Sequence, residues 1–301
     1  MTRRLLGRAL GAAALLALAL AVVSCGESEA LPEAAAVTHP TLFYDDVTFF
    51  SSVREASNLP APQSPVAGGI IPHDWLGGRY IAWLFQSLAA GDPPDTSILI
   101  GPNHDNEGRP GTLTSSLGWS TPFGTVAPNI EKLDALIAQG LVSVDDAVLT
   151  TEHSVAGIMP AIAYYLPDTK VVPLVLRGDA SPEHTEQLAA ALAAQLDGDT
   201  VLVAAVDFSH DLVHSEAARN NTVTLDALRA RDGAALFALD NRFLDSPESI
   251  SVLMEAMSLS DAGPFVLTAD TSSAALRGDE LAPTTSYLVG YYPTEARSPT
   301  R

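Results

Sequence analysis

Cysteine is nearly absent from this 301-residue chain, and the single one, Cys25, excludes an intrachain disulfide and a cysteine-based structural zinc site. A hydrophobic core must hold the fold. Positive charge is also scarce. Lys and Arg number 16 against 36 Asp and Glu, a formal net charge of -20, so the basic footprint that a phosphate backbone requires is missing and nucleic acid is excluded as a partner. Charged residues make up only 17% and hydrophobic residues 47%, which excludes a disordered polyanion. No internal repeat is present. The 21 Gly and 21 Pro imply many tight connections, and the length suits one large domain.

The N-terminal segment reads as an address. Arg3, Arg4 and Arg8 precede the uncharged apolar run Ala9 to Val23, the pattern of an export signal and too short for a stop-transfer span. The run closes on Val22-Val23-Ser24-Cys25, which resembles the lipobox of bacterial lipoproteins, where the thiol is acylated and the chain is cut before it. The expected organisation is a lipoprotein signal peptide over 1–24, a lipidated flexible tether over 25–37, a domain over 38–293 and a disordered tail over 294–301. The alternative is a signal cut elsewhere, with Cys25 incidental. Thr2-Arg3-Arg4-Leu5-Leu6 has a twin-arginine look, although paired arginines are ordinary in such regions. The expected location is the bacterial cell envelope, with anchoring through Cys25. An acidic surface is repelled by anionic lipid, so attachment would rest on the acyl chains alone.

Short apolar runs at Val66 to Ile71, Ser97 to Ile100, Val171 to Leu176, Val201 to Val206, Phe265 to Thr268 and Tyr287 to Tyr291 predict strands. Helical spacing predicts helices over Tyr80 to Leu88, Ile130 to Ala138, Val155 to Tyr165, Pro182 to Leu196, Ser215 to Ala230 and Ile250 to Met257. Continuous apolar strands alternating with helices imply an α/β fold: a single domain with a central, largely parallel or mixed sheet flanked by helices. Ligands of such sheets bind beyond the carboxyl ends of the strands.

Three strands end alike. Val66 to Ile71 runs into Pro72-His73-Asp74, Ser97 to Ile100 into Gly101-Pro102-Asn103-His104, and Val201 to Val206 into Asp207-Phe208-Ser209-His210. Each delivers an imidazole to one sheet edge, the raw material of a transition-metal site or of acid-base chemistry near neutral pH. Glu152-His153-Ser154 opens a helical pattern within reach of that edge. A lone histidine there more often caps a loop, but three of seven after three strands is not an accident of placement. His39, His184 and His214 lack such placement and read as surface or helix residues.

Pro72-His73, Gly101-Pro102-Asn103-His104, Ser120-Thr121-Pro122-Phe123-Gly124, Glu152-His153-Ser154 and Asp207-Phe208-Ser209-His210 stand in the order and spacing of the Memo-like family, also called AmmeMemoRadiSam system protein B. The resemblance spans roughly Thr38 to Pro293 and includes the opening Phe43-Tyr44. It implies a fold like that of class III extradiol dioxygenases, with His73 and His104 as metal ligands, His210 beside Asp207 as the additional active-site histidine, and His153 in the outer shell. Asn103 is placed to contact substrate. The family's third ligand is typically a cysteine, and here the equivalent segment Asp245-Ser246-Pro247-Glu248 puts Asp245 in its place. Two imidazoles and a carboxylate suit Fe(II) and oxygen, whereas a thiolate favours copper or zinc. Two other readings stay open: Asp245 caps the following helix, or Glu248 is the ligand.

The functional expectations are therefore a metal-dependent, dioxygenase-like oxidoreductase acting on a small molecule, Fe(II) being favoured over copper or zinc, or a non-catalytic metal- or ligand-binding lipoprotein using the same cleft. A serine hydrolase built on Ser154 or Ser209 is a weaker reading, because the Gly-x-Ser-x-Gly elbow is missing. The sequence leaves the oligomeric state open.

Overall fold

Eleven strands and eleven α-helices lie in the computed structural model, which describes residues 37–260 and 262–294. The strands are β1 (Thr38–His39), β2 (Val66–Ile71), β3 (Thr96–Pro102), β4 (Thr112–Thr114), β5 (Gly118–Thr121), β6 (Gly124–Val126), β7 (Val142–Val144), β8 (Lys170–Leu176), β9 (Thr200–Ala205), β10 (Val266–Ser272) and β11 (Ser286–Pro293). The helices are α1 (Asp46–Ala56), α2 (Gly78–Ala90), α3 (Ile130–Ala138), α4 (Asp146–Thr151), α5 (His153–Ala156), α6 (Met159–Tyr165), α7 (Pro182–Ala193), α8 (His214–Ala230), α9 (Gly233–Phe237), α10 (Pro247–Leu259) and α11 (Ser273–Arg277). The expected signal peptide, its Cys25, the tether up to residue 36 and the tail from residue 295 lie outside the described residues. Thr294, where that tail was expected to begin, donates its amide to the Pro65 carbonyl at 2.9 Å. Among the described residues no helix is long and apolar enough to cross a membrane.

The main sheet runs β10-β11-β2-β9-β3-β8-β4-β7, with β2, β9, β3 and β8 mutually parallel and β11 and β4 antiparallel at either side of them. A small sheet, β1-β5-β6, stands apart. The mixed α/β sheet expected from the sequence is therefore present. Its strands read as unbroken apolar runs because successive side chains alternate between two covered faces. Leu99, Val175 and Val203 join the core under α1, α2 and α6, while Ile98, Ile100, Leu174 and Leu202 join the core under α7, α8 and α10. Each such fully buried side chain contributes about 1.5–3 kcal/mol.

The expected strands are all present, and the helices over Tyr80 to Leu88 and Ser215 to Ala230 extend by a turn or less. One helix departs from expectation. Val155 to Tyr165 was read as continuous, but the chain forms α5 and α6 with a break at Gly157-Ile158. Pro160 explains this, since it has no N–H to give and its ring would strike the carbonyl four residues back. The helix over Asp46–Ala56 was not anticipated. Asp45 caps it by accepting from the Thr48 amide at 2.8 Å, and Phe49 and Ala56 bury one face in the core.

Candidate metal centre

Sheet order builds the site. Because β9 lies between β2 and β3, the segments leaving all three strands come together at one edge. Ile71 pairs with Ala205, so the residues two further on, His73 and Asp207, stand side by side. Asp207 Oδ1 accepts the His73 amide at 3.1 Å, and Oδ2 lies 3.5 Å from His73 Nε2. The chain leaving β9 then bridges Phe208 to Leu244 in antiparallel fashion, which brings in Asp245. The Asp245 amide donates to the Asp207 carbonyl at 3.1 Å, and the Asp207 amide donates back to Asp245 Oδ2 at 3.4 Å.

Asp245 Oδ2 lies 3.5 Å from His73 Nε2 and 3.8 Å from His104 Nε2. Both rings are fixed from behind. His73 Nδ1 faces the Ala205 carbonyl at 3.3 Å, an acceptor only, so that nitrogen carries the proton. His104 Nδ1 donates to Glu152 Oε1 at 2.9 Å. Each imidazole thus turns Nε2 towards the same carboxylate oxygen. An Nδ1 anchored from behind, with Nε2 turned to the prospective ion, is how proteins orient metal-binding histidines.

Glu152 is the residue that sequence reasoning passed over, having singled out its motif for His153. It also accepts the His104 amide at 2.8 Å and caps α5 through the Ser154 amide at 2.8 Å. Burial opposes its ionisation, yet the His104 bonds and charge and the two amides hold its carboxyl at about 2. Burial likewise opposes a charge on His104, but Asp245 and Glu152 on either side raise it to about 10. Gly101 lets α5 come this close: a Cβ there would stand 2.8 Å from Ser154 Oγ, which itself donates to the Pro102 carbonyl at 2.8 Å.

His153 stacks on His104, with ring centroids 4.2 Å apart and planes at 19°, and meets His73 edge-on at 5.1 Å. Burial lowers its pKa, and the neighbouring charges of His104 and His73 add to the effect. His210 is half-buried and belongs to neither group of converging ligand atoms; burial lowers its pKa, Asp245 and Asp211 oppose that, and the charges of His73 and His104 add to it. Asp211 behind it adopts a left-handed conformation at φ 57 and turns the chain. Burial pushes the Asp207 carboxyl well above the usual range against the pull of His73, with Asp245 and Asp74 reinforcing burial. Asp74 in turn accepts the Tyr287 hydroxyl at 2.6 Å.

The donor set fits a divalent metal. Ligand atoms of His73, Asp207 and Asp245 lie within 4.8 Å of one another, as do those of His73, His104 and His153. Among the described residues Asp245 Oδ1 is buried without a hydrogen-bond partner, and two carboxylates crowd one imidazole edge. A cation at that point would satisfy the oxygen and relieve the crowding.

The capping reading of Asp245 is replaced, because Ser246 caps α10 through the Ser249 amide at 3.1 Å. Glu248 is buried in the first turn of α10 and belongs to neither ligand group. Asn103 has both ends of its amide on Glu107, at 2.9 and 3.1 Å, and braces the loop that carries His104. Ser154 and Ser209 are fully buried, and the Ser209 hydroxyl donates to the Arg242 carbonyl at 2.7 Å, so neither is presented as a nucleophile. His39, expected as a surface or helix residue, is neither: it sits in β1, 1% exposed, held by Thr150 at 2.8 Å and Ser115 at 2.6 Å and packed at a tilt against Trp119. His184 and His214 are helical, bonded to Thr112 and Ser272.

Residues 50–291 match a family described as Memo-like protein. A MEMO1 family protein of Pyrobaculum aerophilum is 30% identical over 194 residues, 63% of this chain and 69% of that one. Another, from Pyrobaculum arsenaticum, is 32% identical over 195 residues with the same coverage. A third, from a Thermotoga species, is 28% identical over 190 residues, 60% of this chain and 68% of its own. Among solved structures, an uncharacterized protein of Escherichia coli K12 aligns with a TM-score of 0.48 at 14% identity, over 73% of this chain and 99% of that one.

Proposed function

The chain belongs to the Memo-like family, and from that premise we propose that it is a metal-dependent, dioxygenase-like oxidoreductase whose resident ion is non-haem Fe(II). The observation that carries this reading is the convergence of His73 Nε2 and His104 Nε2 on Asp245 Oδ2, at 3.5 and 3.8 Å, with both Nδ1 atoms anchored. His73, His104 and Asp245 would hold the ion. Two imidazoles and one carboxylate leave positions for substrate and co-substrate, and the bound ion supplies Lewis acidity and redox chemistry there. Copper and zinc are the competing occupants.

The chain's own groups have separable tasks. Asp207 fixes the His73 main chain by accepting its amide, and its Oδ2 stands 3.5 Å from His73 Nε2, on the same side of the ring as Asp245. His210, depressed below the ordinary imidazole value, is neutral at pH 7 and suited to accept a proton from a small-molecule substrate entering at the strand ends. His153 walls the cleft beside His104.

A second reading has its own observation. His153 and Asp207 add two donors around His73, enough to close the coordination shell and leave a non-catalytic metal- or ligand-binding protein. Metal analysis of anaerobically purified protein tests the proposal: near-stoichiometric iron lost in both His73→Ala and Asp245→Ala supports it, and no metal after reconstitution overturns it. Oxygen consumption with catechol-like substrates then separates catalysis from storage.

The address is part of the proposal. Acylation of Cys25 would tether the domain to the bacterial cell envelope by its lipid alone. Cys25→Ala should release a soluble, folded protein, and a variant still embedded in membrane would refute the anchor.

A further inference from the structure

A cavity of about 260 Å³ lies near the histidine cluster and is lined by Phe43, Tyr44, Asp45, Thr48, Phe49 and Trp75. Four of these six are aromatic, and two rings are pinned: Trp75 Nε1 donates to the Gly157 carbonyl at 3.0 Å, and the Tyr44 hydroxyl donates to Asp46 at 2.5 Å. That second bond draws electron density into the Tyr44 ring. Phe49 packs between them, with centroids 5.5 Å from both Tyr44 and Trp75. Phe43 forms the wall shared with the cleft, its ring 5.8 Å from His153.

Among the described residues no Lys or Arg lines this cavity. Its one charged group is the exposed Asp45, held ionised by the Thr48 amide. The Asp45 carboxylate already caps α1, so the positive end of that helix is satisfied and attracts no further anion. Aromatic faces with a carboxylate at the rim favour an organic cation over a neutral or anionic guest. A protein of net charge -20 also concentrates cations at its surface. The volume is below the roughly 300–1,000 Å³ of drug-sized sites, so the guest is a small head group.

We infer that this aromatic cavity is a binding site for a small alkylated ammonium group, lying next to the metal cleft and independent of whether a metal is bound. Choline is the probe, and its neutral isostere 3,3-dimethyl-1-butanol is the control. Tryptophan fluorescence reads binding at Trp75 selectively, because Trp83 and Trp119 are 2% and 1% exposed. The titration is run with and without chelator.

Saturable quenching by choline, at least about tenfold tighter than the isostere, is the expected result. Phe43→Leu keeps apolar volume but removes a π face, and should weaken choline by roughly tenfold while leaving the isostere unchanged. Trp75→Leu, followed by calorimetry, should do the same. Equal binding of choline and isostere would overturn the inference by showing a plain apolar pocket, and so would no binding by a protein whose circular dichroism shows it folded. The comparison of two ligands on the unaltered protein stands even if a variant fails to fold. A trimethyllysine peptide run beside choline names the source: tighter peptide binding assigns the group to a protein partner, equal binding to a free cation.

Discussion

Glu152 grips His104 at two points, accepting its main-chain amide through Oε2 at 2.8 Å and its ring Nδ1 through Oε1 at 2.9 Å. Glu152→Gln keeps the shape but sets an amide N–H against one of these donors. Loss of such a partner typically costs about 10–100-fold in metal affinity. Competition with a chromogenic chelator measures it, and unchanged affinity with an unchanged melting temperature would remove Glu152 from the site.

The same pairing makes metal uptake proton-linked. The folded pKa of His104, about 10, lies above its ordinary value of 6.5, so the pairing stabilises the metal-free fold fully below 6.5 and is lost as pH rises through 10. Glu152 behaves oppositely: held at about 2 from an ordinary 4.5, it stabilises the fold above 4.5 and fails as pH falls through 2. At pH 7.5 an incoming metal must displace the His104 proton, so about one proton should be released per ion. Calorimetry in two buffers of different ionisation enthalpy counts it, and zero release would contradict the assignment of His104.

Asp245→Cys tests the ligand role proposed for this carboxylate. The softer sulfur should shift preference from iron towards zinc and copper(I). Competitive loading followed by elemental analysis reads the shift. Iron retained at the unaltered level would show that Asp245 is not a ligand.

Gly101→Ala probes how tightly α5 is set on β3. The added Cβ meets Ser154 Oγ at 2.8 Å and the Ala205 carbonyl at 3.2 Å, and overpacking of this kind costs about 1–3 kcal/mol. Chemical denaturation gives the loss. Metal affinity should fall as well, since Glu152 caps α5 and His153 opens it.

The histidines at the ends of β2, β3 and β9 were legible in the sequence because parallel strands covered on both faces are continuous apolar runs, and whatever follows them lands at one edge. Glu152 was not legible as a holder of His104, since that role exists only through a contact across 48 positions. The burial of His39 was equally hidden: it depends on Ser115 and Thr150, neither near it in the chain. The three-residue strands β4, β6 and β7 are too short to show a period of two. Helix α1, with Val47, Thr48 and two phenylalanines, has weak intrinsic propensity and is fixed by its cap and by α2.

The place of β9 between β2 and β3 also sets a timetable. Its residues, such as Leu202 in register with both Gly68 and Ile98, are made long after those strands. A nascent chain that has produced His73 and His104 has no central strand to space them and no Asp245 to complete them. Closing so distant a pairing is slow, and it is all or none at this edge. An ion held by His73, His104 and Asp245 would therefore find its site only once β9 and the segment carrying Asp245 have been made and paired.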